Sequence, residues 1–303
     1  MTKNKSSQID TLYKYTSIKF AINNLNDGSL RITDPKKFND PFDCVAASFL
    51  LDKHRFLAHL KKRLEMALSK KHRNTELFHK FWNKVYPSDI GRLIDEFVFD
   101  VSKSINDLSD NWNTERGGYR VLSLAESNES ILMWSHYAGN HSGVVLGFDA
   151  NKGIFIDNKK VKYINMKTVF NVELNYLLGE FLKNISSEND SIDDVFIEKI
   201  KDKHLELFEN TLYAKREDWR YERERRIVLS KNDLRIRHIS NATENYSVID
   251  FSKNELVSVV FGINSNQEEV DALASIVNSK YPDARLFRAR RDGLDMKICN
   301  FEI

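Results

Sequence analysis

The sequence predicts an α+β fold: one sheet-based domain over residues 1–303 that carries two helical insertions, at 52–118 and 168–215. Three observations lead there. Segments with β-favouring residues, several alternating at period two, occur near the start, in the middle and at the end of the chain. Two long stretches between them repeat apolar residues at three- and four-residue spacing, the mark of helix. No linker, internal repeat or low-complexity run separates the strand groups, which favours one interrupted sheet over two consecutive domains.

Leu12, Tyr13, Lys14, Tyr15 and Thr16 read as a first strand, with Tyr13 and Tyr15 on one face and Lys14 on the other. Ser17 is a natural N-cap for a helix through Phe20, Ala21, Ile22 and Leu25, which Asp27-Gly28 ends. A short strand over 30–33 precedes the loop Asn39-Asp40-Pro41-Phe42-Asp43, whose proline disfavours helix or central strand. Leu57, Leu60, Leu64 and Ala67, then Phe78 to Val85, then Leu93 to Val101 form the first helical block, punctuated by Pro87 and Gly91. A strand over 119–124 is followed by a helix capped by Ser127 or Asn128 and closed by Gly139, then by a buried strand over 143–148. A strand over 161–164 precedes the second helical block, 168–214, which the polar run 186–191 interrupts. Strands are expected over 226–230, 235–239, 247–251 and 256–261, then a helix with the stripe Val270, Leu273, Ala274 and Val277. Segments 285–289 and 296–303 finish the sheet.

Composition narrows the function classes. With 41% hydrophobic and 30% charged residues the chain is ordinary globular material. Its 46 basic and 44 acidic residues nearly cancel, so no bulk field argues for nucleic acid or an anionic membrane. Cys44 and Cys299 are far apart, which argues against a disulfide framework or a thiolate zinc site. The polar N-terminus lacks the apolar run of a secretory signal, and no apolar stretch is long enough to span a bilayer. A cytoplasmic protein without a membrane partner is expected.

Neither phosphate-cradling glycine motif is present, nor H-E-x-x-H, nor G-x-S-x-G. His136 and His141 are separated by a helix-ending Gly139-Asn140, so no metal site is expected. The densest polar cluster runs from Trp219 through Glu222, Glu224 and Arg226 to Val228. On an extended chain Glu222, Glu224 and Arg226 share one face. Two readings stand: carboxylates aimed at a developing positive charge, as in glycoside hydrolysis, or a solvated run that pairs internally. Ser123 closes a strand, and Trp134 and Tyr137 share a helical face, as a stacking wall or as core. Asn39, Asp40 and Asp43 either fold their loop as Asx turns or line a cleft beside the first strand. The late arginines 285, 288, 290 and 291 are diluted by Asp283, Asp292 and Asp295 and read as solvated surface.

The order of these motifs resembles a bacterial family of unknown function, domain-of-unknown-function family twenty-nine seventy-one. The resemblance rests on Leu12-Tyr13-Lys14-Tyr15, Phe38 to Asp43, Ser123 to Glu126, Met133 to Tyr137, Gly143 with Leu146 to Asp149, and Trp219-x-Tyr221-Glu222-x-Glu224-x-Arg226. More distantly the chain is similar to NAD-consuming ADP-ribosyltransferases, which implies their split-β fold and NAD as substrate. By that resemblance Glu224 would hold the nicotinamide ribose, Glu222 would orient the acceptor or act as base, and Ser123 would position Glu224. Trp134 or Tyr137 would flank the nicotinamide. Relatives carry His where this chain has Lys14, so Tyr13 or Tyr15 would hold the adenosine ribose or Lys14 a phosphate. Asn39, Asp40 and Arg226 complete the implied binding set. The expected activity cleaves the nicotinamide–ribose bond and passes ADP-ribose to an unidentified protein or nucleic-acid acceptor, in a toxin or defence setting. Alternatives that use the same cleft are a nucleotide or small-ligand sensor without turnover, and a nucleic-acid-binding protein. Whether Glu222 or Glu224 is the reactive carboxylate stays open at this point.

Overall fold

The computed structural model describes residues 10–44, 53–67, 90–164, 211–241 and 244–301, and the fold is α+β. The N-terminal elements form for local reasons. β1 (Thr11–Thr16) ends at Ser17, whose hydroxyl accepts from the Phe20 N–H and so caps α1 (Ile18–Asp27). Gly28 closes α1 at φ +62°, a left-handed conformation that would cost a residue with a β-carbon about 1 kcal/mol. β2 (Ser29–Ile32) then leads into the 3-10 turn Pro35–Lys37.

The chain divides into two compact units. The second unit comprises Pro41–Arg116 and Ile164–Arg216, and its described part is built on α2 (Lys53–Ala67) and α3 (Ile90–Glu115), which pack together. Phe56, Leu60 and Leu64 on α2, and Ile94, Phe97 and Val101 on α3, are buried at the three- and four-residue spacing read in the sequence. The Trp112 indole N–H donates to the Cys44 carbonyl at 3.1 Å, and the buried Lys215 ammonium lies 3.4 Å from Asp43. The helical segments expected around Phe78–Val85 and over 168–210 lie outside the described residues.

The first unit comprises Met1–Asp40, Gly117–Tyr163 and Glu217–Ile303. After β3 (Tyr119–Ala125), α4 (Ile131–Tyr137) starts at Ser130, whose hydroxyl accepts from the Met133 N–H. The cap is therefore not Ser127 or Asn128: the Ser127 hydroxyl is used one turn earlier, on the Glu129 N–H. β4 (Val144–Asp149), β5 (Lys159–Lys160) and β6 (Lys162–Ile164) follow, and after β7 (Ala214–Arg216), which belongs to the second unit, comes β8 (Glu224–Ser230). Then come β9 (Ile236–Ser240), β10 (Asn245–Asp250) and β11 (Leu256–Phe261). α5 (Gln267–Lys280) is capped by Asn266, whose side chain accepts from the Glu268 and Glu269 N–H groups, and β12 (Arg285–Asp292) and β13 (Asp295–Asn300) end the sheet.

Eight strands line up as β13-β12-β11-β4-β1-β3-β8-β5. All neighbours are antiparallel except β11 and β12, which α5 joins as a crossover. Leu12, Leu122, Leu146, Phe148, Ile227, Val259 and Phe261 share one core cluster with the apolar stripes of α1 and α5. A smaller sheet, β2-β10-β9, contributes to the same core and meets the large one through two Thr33–Val121 backbone hydrogen bonds, both 2.9 Å. Alternation sends Tyr15, Ala125, Val145, Val260 and Ala289 to the opposite face, where they pack with Met133 and Trp134 of α4. A β-carbon at Gly143 would run into the Thr16 and Ala138 carbonyls, so the backbone approaches closely there.

β3 pairs with β8 along its whole length, from Tyr119 opposite Ser230 to Ala125 opposite Glu224. That ladder starts β8 two residues before the strand expected at 226–230. β1 and β3 share a single register pair, Tyr13 opposite Ala125. Among the described residues no helix is long and apolar enough to cross a membrane.

Candidate functional site

The site is assembled where β3, β8 and α4 meet. Glu224 opens β8 and lies on the same sheet face as Arg226 two residues on, opposite Ala125 and Ser123 respectively. Arg226 is fully enclosed and grips Glu224 with both ends of its fork, Nε to Oε1 at 2.7 Å and Nη2 to Oε2 at 3.0 Å. Its guanidinium carbon lies 5.4 Å from the centre of the Phe38 ring. The Glu224 N–H donates to the Tyr163 hydroxyl at 2.7 Å, which ties the strand start to β6.

Glu222 lies outside the strand. It ends the 3-10 turn Glu217–Glu222, and Arg223 follows at φ +45°, so the period-two alternation assumed for an extended chain begins only at Glu224. Instead the Tyr137 hydroxyl, from α4, donates to Glu222 Oε1 at 2.7 Å. Both carboxylates are buried, at 3% and 4% exposure, so neither belongs to a solvated run. Trp219 and His136 flank the turn through Tyr221, with ring centres 5.9 and 6.2 Å from it.

The remaining residues singled out in the sequence fall into three groups. Tyr15 and Trp134 form an edge-to-face pair at 5.5 Å, with the Tyr15 hydroxyl donating to the Ser127 carbonyl and the Trp134 indole to the Asn128 carbonyl. Burial pushes the Tyr15 and Tyr13 hydroxyls above the usual tyrosine range. Lys14, on the other face of β1, turns its ammonium to the Ser123 carbonyl at 3.0 Å. Burial pulls its pKa below the usual lysine value, partly offset by the charge of Glu224. The Ser123 hydroxyl makes no hydrogen bond among the described residues, while Arg226 and Tyr163 both bond to Glu224. Asn39 is exposed and no hydrogen bond joins it to the others, while Asp40 is buried in the loop that follows Phe38.

A family model described as Protein of unknown function (DUF2971) matches residues 133–227. Over that stretch the chain is similar to DUF2971. No curated protein and no solved structure matches it. The DUF2971 segment starts at Met133 and ends at Ile227, so it contains Trp134, Tyr137, Tyr163, Glu222, Glu224 and Arg226, and it leaves β1 and Ser123 outside.

Three residues at the site were not singled out from sequence. Phe38 and Glu126 stand inside motifs that resemble the family, and Tyr163 in an expected strand, but only the fold gives them roles. Glu126 is the least legible. Its carboxylate is 3% exposed and gathers Arg225 Nε at 2.9 Å, Arg223 Nε at 3.5 Å and Lys160 Nζ at 3.6 Å. Among the described residues no cluster of three His, Cys, Asp or Glu side chains is placed to hold a metal.

Proposed function

We propose that the chain is an ADP-ribosyltransferase-like enzyme that breaks the nicotinamide–ribose bond of NAD and transfers ADP-ribose to a nucleophilic acceptor. The observation that carries this reading is the Tyr137–Glu222 hydrogen bond at 2.7 Å, beside a second carboxylate locked by Arg226. When the glycosidic bond breaks, its electron pair leaves with nicotinamide and the ribose carbon becomes oxocarbenium-like. A fixed, ionised carboxylate close to that carbon lowers the barrier, because the charge it opposes exists only in the transition state. A phenol that donates to a carboxylate fixes its direction. Glu222 is therefore assigned the reacting-centre role, and Tyr137 is the ring that flanks nicotinamide, since Trp134 is wholly buried against Tyr15. Glu224, with both oxygens on Arg226, acts as the strut that aims the turn. The acceptor then attacks the ribose carbon and gives up its proton to a base. The single register pair between β1 and β3 also supports the reading, since a split-β enzyme takes NAD between strands that part.

Nicotinamide release from NAD, followed by chromatography, tests the reading. Glu222→Gln is expected to lower kcat roughly 10²–10³-fold with KM little changed. A purified protein that releases no nicotinamide and modifies no acceptor, or a Glu222→Gln variant with full turnover, overturns it. One other reading is a nucleotide sensor without turnover, since Glu222 and Glu224 are both buried and a carboxylate shielded in this way is poorly placed to meet a reacting carbon. In that case NAD or ADP-ribose raises the melting temperature and no product forms.

A further inference from the structure

A cleft of about 370 Å³ opens at the junction of the two sheets, between the end of β2, the start of β3 and the β9–β10 hairpin. None of Glu222, Glu224 and Tyr137 lines it. Its innermost cation is Arg120, whose side chain is 16% exposed and whose guanidinium donates to three acceptors. Nε donates to the Ser247 hydroxyl at 3.2 Å, and Nη1 donates to the carbonyls of Gly117 at 2.9 Å and Tyr119 at 2.6 Å. An arginine has five N–H groups. The two on Nη2 make no hydrogen bond among the described residues, so a rigidly positioned fork end is left for something in the cleft.

The polar groups around it bond to one another. His238 Nε2 lies 2.8 Å from the Lys231 carbonyl, which can only accept, so that nitrogen carries the hydrogen. When the ring is neutral, Nδ1 accepts from the Ser247 hydroxyl at 2.9 Å, and Ser247 in turn accepts from Arg120. A one-way chain, Arg120 to Ser247 to His238 to the Lys231 carbonyl, holds the arginine in place.

The charge balance favours an anion. Asp34 is the carboxylate in the lining, 3.9 Å from Arg120 Nη1. Against it stand Arg120 and Lys37, whose ammonium makes a 3.4 Å contact to the Asn245 carbonyl and no ion pair among the described residues. Arg31 is already matched by Glu244, in a two-bonded fork at 3.0 and 2.8 Å.

We propose that this cleft binds a small phosphorylated molecule of about mononucleotide size, with Arg120 Nη2 and Lys37 on its phosphate oxygens. A tetrahedral dianion offers oxygens in several directions and so can meet both cations, whereas a carboxylate presents two in one plane. The volume is within the usual range of small-molecule sites, and a fork fixed beforehand loses little freedom on binding. The site is separate from the proposed NAD chemistry and does not depend on it.

Calorimetric titration and thermal melting of the full chain with inorganic phosphate and with adenosine monophosphate, against acetate and chloride at matched ionic strength, test the proposal. Phosphate and the nucleotide are expected to bind and to raise the melting temperature beyond the acetate control. Lys37→Ala, a change at an exposed side chain, is expected to weaken binding roughly tenfold, and Arg120→Lys at least as much. Phosphate that does no more than acetate overturns the proposal, as does binding that Lys37→Ala leaves at full strength, even if Arg120→Lys fails to fold.

Discussion

Arg226 and Glu224, two residues apart on β8, are joined by two hydrogen bonds in a space from which water is excluded. The pair neutralises itself, and each member depends on the other. A buried charge left without its partner is strongly unfavourable, while removal of both together avoids that penalty.

Glu224→Gln and Arg226→Met are each expected to destabilise the folded chain by about 3–5 kcal/mol. The combination Glu224→Leu with Arg226→Met should recover most of that loss. Chemical denaturation of the three variants is the measurement. Additive losses would show that the two side chains do not act as a pair.

Tyr137→Phe removes one hydrogen bond to a charged acceptor and should cost about 1.5–3 kcal/mol. The phenol reaches Glu222 across 85 residues of sequence, so the effect reports a tertiary contact and not helix propensity. In a double-mutant cycle with Glu222→Gln, the coupling should be clearly above 0.5 kcal/mol in magnitude. Zero coupling would remove the contact from the account of the site.

The acid limb of stability should carry a signature of Asp233. Hydrogen bonds from the Arg235 side chain and backbone pull its pKa from the ordinary 3.8 down to about 2. A depressed carboxylate pKa means the unfolded chain binds the proton first as pH falls. The contribution is thus fully present above the ordinary aspartate value and is lost as pH drops through about 2. Because the pair is solvated, it should amount to under ~1 kcal/mol. Denaturation of Asp233→Asn across that range should show a small deficit near neutrality that vanishes in acid.

Gly143→Ala should destabilise by about 1–3 kcal/mol, because its β-carbon would meet two carbonyl oxygens and the backbone cannot yield as a side chain can. A melting temperature equal to that of the parent would place those carbonyls elsewhere.

Much of this architecture was legible in the sequence because it is set locally. Ser17 and Gly28 bound α1 through hydrogen bonds and backbone conformation within a few residues. The stripe Val270, Leu273, Ala274 and Val277 names the buried face of α5 without reference to anything else. Strand segments could be recognised for the same reason, while their ends could not, since β8 begins at Glu224 only because β3 supplies partners there.

The candidate site was legible as a set of residues and not as an arrangement. Spacing alone put Glu222 and Glu224 on one face, yet the left-handed backbone at Arg223 separates them, one to Tyr137 and the other to Arg226. Residue type allows Trp134 a ligand role beside the commoner core one, and Tyr15 packs against it in the core. The chain from Arg120 through Ser247 to His238 spans 127 residues at its first step and exists only because two sheets meet in one register. Amino-acid order specifies what each segment prefers, whereas which distant donors and acceptors leave water together is settled only when the strands have paired.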